Sequence, residues 1–133
     1  MLLEPEAAPV ILVVDDVDYL RSMLDVVLRQ AGYAVLLAAT GEEALEVYRR
    51  HPGAIHLVLL DLHLPGRGGR ATLEDLRALD PQVRCCLMSG EQEDHTEEDL
   101  RRLGALGRVH KPFRAPDLLQ LLARFVPRTR EPG

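Results

Sequence analysis

Five positions in this chain of 133 residues carry side chains that suit one reaction if brought together: Asp15 and Asp16, Asp61, Ser89 and Lys111. Three carboxylates about 5 Å apart repel by about 3 kcal/mol per pair at an effective dielectric near 20, so protons or a cation must relieve them. Hard oxygen donors on short loops favour Mg2+, which takes one or two carboxylates, a carbonyl and waters and leaves positions for phosphate oxygens. A hydroxyl and an ammonium aimed at the same point supply further contacts to those oxygens. The chemistry is that of phosphoryl transfer, in which positioning and charge neutralisation carry most of the catalysis. Lys111 stands out because the other fifteen basic residues are all arginine. A compact ammonium suits a single phosphate oxygen, whereas a planar fork suits bidentate pairing.

What places the five residues is the pattern around them. Val10–Val14, His56–Leu60 and Cys85–Met88 are short apolar blocks without polar alternation, as expected of parallel strands buried on both faces. Ala34–Ala38 and Gly107–His110 complete a set of five strands. Leu20, Met23, Leu24, Val27 and Leu28 recur at helical spacing before Gly32, and Thr40-Gly41-Glu42-Glu43 opens a second helix as a capping box. Leu73, Leu76 and Leu79 mark a third, stopped by Pro81, and Thr96-Glu97-Glu98-Asp99 opens a shorter fourth. A fifth starts at Pro116, with Leu118, Leu121, Leu122 and Phe125 as its inner stripe. Strict alternation of strand and helix predicts a doubly wound α/β fold, a parallel sheet with helices on both faces. Sites in such sheets form at the carboxyl ends of the strands, where all five residues fall. Residues 9–126 are expected to form the domain, with 1–8 and 127–133 as tails or a linker stub.

Composition excludes several classes. With 47% hydrophobic residues and a net charge of −5, the chain is globular and its surface is acidic. Without a basic cluster, direct binding to nucleic acid is not expected. The longest stretch free of charged residues, Gln30–Gly41, is twelve residues long, too short for a membrane span. The N-terminus lacks the positive charge and apolar run of a signal peptide, so a cytoplasmic protein is expected. Five scattered histidines show no zinc spacing. Adjacent Cys85 and Cys86 point to opposite faces of an extended chain, which suits packing rather than a disulfide.

In order along the chain, Val13-Val14-Asp15-Asp16, Leu60-Asp61-Leu62-His63-Leu64-Pro65-Gly66, Met88-Ser89-Gly90 and Lys111-Pro112-Phe113 make the sequence similar to two-component response-regulator receiver domains from about Val10 to Phe125. The resemblance implies a flavodoxin-like sheet of order 2-1-3-4-5 with five helices. It implies that Asp61 is the phosphoacceptor, taking a phosphoryl group from a phosphohistidine on a sensor histidine kinase or histidine phosphotransfer protein. Asp16, Asp61 and the backbone carbonyl of His63 would hold Mg2+, with Asp15 helping directly or through water. Lys111 and Ser89 would contact phosphoryl oxygens, the serine by moving. Such a domain assists its own phosphorylation and dephosphorylation but is not a turnover enzyme. It would act alone, as a relay intermediate, or as part of a longer regulator or hybrid kinase.

One position departs from the family pattern. Family members commonly carry Tyr or Phe three residues before the lysine, and this chain has Arg108 there. The acidic run Glu91, Glu93, Asp94, Glu97, Glu98 and Asp99 offers partners that would hold Arg108 outside. Leu119, Ala123 and Val126 form a second apolar line on the last helix, which favours a homodimer or an output partner on the face of the fourth helix, fifth strand and fifth helix. Asp18 reads as the cap of the first helix. His63 reads either as a tuner of phosphate lifetime or as a solvated loop residue. Two rival functions remain. Asp16-Val17-Asp18 fits the Asp-x-Asp of a small haloacid-dehalogenase-type phosphohydrolase, though that leaves Asp61 unexplained; the other is a receiver-like binding module that is never phosphorylated.

Overall fold

The computed structural model describes residues 8–90 and 96–127. Strands and helices alternate as β1 (Val10–Val14), α1 (Asp18–Gln30), β2 (Ala34–Ala38), α2 (Gly41–Arg50), β3 (Leu57–Asp61), α3 (Gly68–Leu79), β4 (Cys85–Ser89), α4 (Glu97–Leu103), β5 (Gly107–His110) and α5 (Ala115–Phe125). The sheet is parallel throughout, in the order β2-β1-β3-β4-β5. Two apolar layers explain why the strand sequences do not alternate in polarity. Leu12, Val14, Val58, Leu60, Cys85 and Leu87 face α2, α3 and α4, while Ile11, Val13, Leu57, Leu59, Cys86 and Met88 face α1 and α5. Side chains two apart share a face, so each strand feeds both cores.

The two cysteines fall in opposite layers and are free thiols. Burial raises the Cys85 thiol pKa well above its usual range and raises that of Cys86 to about 12. A thiolate, not a thiol, reacts with alkylating agents. Iodoacetamide at pH 8 should therefore leave the native protein unmodified and label both cysteines after denaturation. Rapid labelling of the folded chain would contradict this packing.

Local chemistry sets the helix starts. The Thr40 hydroxyl accepts the Glu43 N–H at 3.0 Å, and Glu43 reaches back to the Ala39 N–H rather than to that of Thr40. Thr96 and Asp99 close a full capping box on α4. Asp18 does not cap α1. The cap position is Val17, because the Asp15 carboxylate takes the Val17 N–H at 2.8 Å and tightens the turn. Asp18 is left as the first helical residue, where its charge complements the helix dipole and it pairs with Arg21.

Three apolar expectations also shift. Met23 and Leu79 are exposed, since they lie at the edges of stripes whose centres are Leu24 with Leu28 and Leu73 with Leu76. The second line on α5 is not a surface stripe. Leu119 packs on the core, and Val126, just beyond the helix, turns inward while its carbonyl accepts the Tyr33 hydroxyl at 2.7 Å. Only Ala123 of that line is exposed.

Candidate functional site

Asp15 directly follows β1, and the neighbouring strands β3 and β4 end in Asp61 and Ser89, so strand order alone brings these residues together. Lys111 follows β5, and its backbone N–H donates to the Ser89 carbonyl at 2.7 Å, which extends the ladder to the site. The next peptide bond, Lys111-Pro112, is cis. From there the Lys111 ammonium reaches across the strand ends. It donates to Asp15 Oδ2 at 2.8 Å and to Asp61 Oδ2 at 2.9 Å.

Each buried carboxylate is also fixed by its own loop. Asp61, 2% exposed, accepts the His63 N–H on Oδ1 at 2.9 Å. Asp15, fully buried, uses Oδ1 for the Val17 N–H, and its backbone N–H is anchored on the Ala38 carbonyl at 3.1 Å. Asp16 is different. Its carboxylate is exposed and makes no hydrogen bond or ion pair among the described residues, so only the backbone determines where it points.

The charge balance is visible in Lys111. Burial opposes its charge, but hydrogen bonds and attraction from Asp15 and Asp61 outweigh that and raise its pKa above 10.5. The sign follows directly: this interaction stabilises the fold fully below pH 10.5 and is lost as pH rises through the folded value. Three carboxylates still face one ammonium. Asp15, Asp16 and Asp61 each offer a ligand atom, and these atoms all lie within 4.8 Å of one another. A cluster of hard oxygens with excess negative charge fits a divalent cation such as Mg2+.

Ser89 supplies an independent sign of function. Its hydroxyl is fully buried and has no hydrogen-bond partner among the described residues. Leaving such a group unsatisfied costs about 1–3 kcal/mol, an expense that structural packing alone gives no reason to retain. All five residues singled out in the sequence thus lie at one end of the sheet.

Other residues fall outside the cluster. The Asp18 side chain is 90% exposed and tied to Arg21, away from the carboxylates, so an Asp-x-Asp reading has no second acid in place. His63 is exposed and contributes its backbone N–H to Asp61. Arg108 lies on β5 and lines a groove of about 460 Å3 with His110, Phe113, Asp117, Leu121 and Arg124. Its expected partners Glu91, Glu93 and Asp94 lie outside the described residues. Sequence reasoning overlooked two neighbours of the site. Arg21 donates to the Asp15 carbonyl at 2.8 Å, and only the three-residue spacing from Asp18 hinted at a pair. Gly69 donates its N–H to the Leu62 carbonyl at 3.0 Å, holding the start of α3 against the strand end that bears Asp61.

The chain as a whole is similar to known proteins. Residues 11–123 match the family model for the response regulator receiver domain. The chain belongs to that family and is a signalling domain of the two-component and phosphorelay type. It is 31% identical over 117 residues to sporulation initiation phosphotransferase F of Bacillus subtilis, covering 88% of this chain and 93% of that protein. It is 34% identical to the transcriptional regulatory protein ZraR of Salmonella typhimurium, where 92% of this chain spans only 27% of the relative. Among solved structures, the CheX-CheY-BeF3-Mg2+ complex from Borrelia burgdorferi superposes with a TM-score of 0.81 at 28% identity, covering 89% of this chain and 90% of that one. Among the described residues no helix is long and apolar enough to cross a membrane.

Proposed function

We propose that this chain is a cytoplasmic phosphoacceptor whose Asp61 takes a phosphoryl group from a phosphohistidine on a sensor histidine kinase or histidine phosphotransfer protein. An Asp61 oxygen forms the new bond to phosphorus as the phosphorus–nitrogen bond to the imidazole breaks, and the imidazole nitrogen keeps the electron pair. Asp16, Asp61 and the His63 carbonyl would hold Mg2+, with Asp15 direct or through water. That ion would neutralise charge on the transferring oxygens. Lys111 binds one phosphoryl oxygen, and the Ser89 hydroxyl gains in a second the partner it lacks in the fold. The domain thus serves as a switch and not as a turnover enzyme. The observation that carries this reading is the Lys111 ammonium bridging two buried carboxylates beside an unsatisfied hydroxyl.

The surroundings support a protein donor. Tyr19, Met23 and Val26 are exposed at 79%, 43% and 55% and share one face of α1. Beside them a groove of about 350 Å3 runs past Leu20, Lys111, Pro112 and Phe113 to the site. An apolar patch next to a reactive carboxylate suits a docking helix better than a small substrate. The response leaves through the face of α4, β5 and α5, to a second copy or an output partner, with Arg108 where an aromatic ring is usual.

Incubation with a small acyl phosphate and Mg2+ tests the reaction, read by intact mass. One phosphoryl group per chain is expected, with none when the metal is chelated. Asp16→Ala should weaken Mg2+ binding by more than the roughly tenfold loss typical of outer-shell changes, because it removes a ligand itself. Metal affinity equal to that of the wild type would exclude Asp16 as a ligand.

A further inference from the structure

Asp16 is the one carboxylate of the cluster that no side chain holds, yet a metal site needs it in a fixed place. The loop that carries it is stapled from below by one residue. Arg21, on the first turn of α1, donates through one guanidinium nitrogen to the Asp15 carbonyl at 2.8 Å and through the other to the Asp18 carboxylate at 2.6 Å. Its backbone N–H donates to the Val17 carbonyl at 2.9 Å. The side-chain contacts land on Asp15 and Asp18, on both sides of Asp16, and the backbone bond to Val17 is the first of the helix. The Arg21 side chain is only 19% exposed and its bond to the Asp15 carbonyl is partly buried, while the Asp18 end stays open to water. The same loop is also tied by Asp15 itself, whose carboxylate accepts the Val17 N–H.

We infer that Arg21 is a positioning residue for the metal, a two-pronged clamp on the Asp15 carbonyl and the Asp18 carboxylate that holds the loop on either side of Asp16 and so sets where that carboxylate points. The inference rests on the metal-binding reading above, and its test separates the two. A cation beside a cation site repels the incoming ion, so by charge alone removing Arg21 would tighten Mg2+ binding. Positioning has the opposite sign. Loss of the clamp weakens binding although a positive charge has gone. Lysine cannot substitute, because one ammonium on a flexible stem does not span two separated acceptors as a planar fork does.

The experiment titrates the full chain with Mg2+ alone, following amide NMR shifts, for the wild type, Arg21→Gln and Arg21→Lys. Both variants are expected to bind Mg2+ about tenfold more weakly. In metal-free spectra, amide shifts should be displaced at residues 15–18 and unchanged in β3 and β4. Asp18→Ala removes one acceptor and leaves the charge on Arg21, and should give a smaller loss in the same direction. Equal or tighter binding by Arg21→Gln would overturn the inference, as would full affinity in Arg21→Lys. Shifts spread through the whole sheet would also overturn it, by making Arg21 a general stabiliser. If the wild type itself binds no Mg2+, the metal reading fails first and takes the clamp's purpose with it.

Discussion

Asp61→Asn is expected to abolish phosphoryl uptake while leaving a cooperatively folded domain. The change keeps volume nearly constant, and the amide oxygen still accepts the His63 N–H that holds the wild-type carboxylate at 2.9 Å. What disappears is the charge that attacks phosphorus and pairs with Lys111. The ammonium keeps Asp15 as a partner, so no buried cation is stranded. Intact mass after acyl-phosphate treatment should show the bare chain, with thermal unfolding still a single transition. A full adduct on this variant would place the nucleophile elsewhere, with Asp16 first in line.

The largest effect on folding is expected from a residue with no side chain. A Cβ added to Gly69 would lie 2.3 Å from the Asp61 carbonyl oxygen and 2.5 Å from the Leu62 Cα. Both are backbone atoms, and the Gly69 N–H is bonded to the Leu62 carbonyl, so neither side can yield cheaply. Overpacking typically costs 1–3 kcal/mol, and a backbone clash on this scale belongs at or above about 3. Gly69→Ala should lower the melting temperature by roughly 10 °C for a domain of this size. Because the nearest of the displaced atoms is the Asp61 carbonyl oxygen, acyl-phosphate uptake should fall as well, even well below the transition. A variant melting within a degree or two of the wild type would mean that α3 can shift freely. In that case its start does not position the phosphoacceptor.

Sequence patterns located the strand ends well because burial on both faces leaves a strong signature, and the fold then fixed where Asp15, Asp61, Ser89 and Lys111 meet. Strand boundaries moved by one residue at β3 and β4, where Asp61 and Ser89 continue the ladder despite being polar. Misreadings came where two local interactions compete. Asp18 looked like a cap until Asp15 claimed the backbone N–H that defines the turn. Val126 looked like part of a helix stripe, but the helix ends before it and the side chain folds into the core. Gly69 carried no signal at all, since a close backbone approach leaves no mark in hydrophobic periodicity. Arg21 was not singled out, because a charge pair three residues apart is commonplace on a helix, and its second prong, onto a main-chain carbonyl, is invisible to any pattern of residue types.

Lys111 has one more consequence. It already bridges two of the three carboxylates that offer ligand atoms, so on the proposed reading loading a divalent ion would be an exchange of cations and not a simple addition. An entering ion would have to displace or share with the ammonium, which would cap affinity and keep the metal labile. The same competition would run in reverse: a phosphoryl oxygen that draws the ammonium away would release carboxylate oxygens to the metal. Phosphoryl group and metal would then favour each other by linkage alone, with no movement of the sheet required.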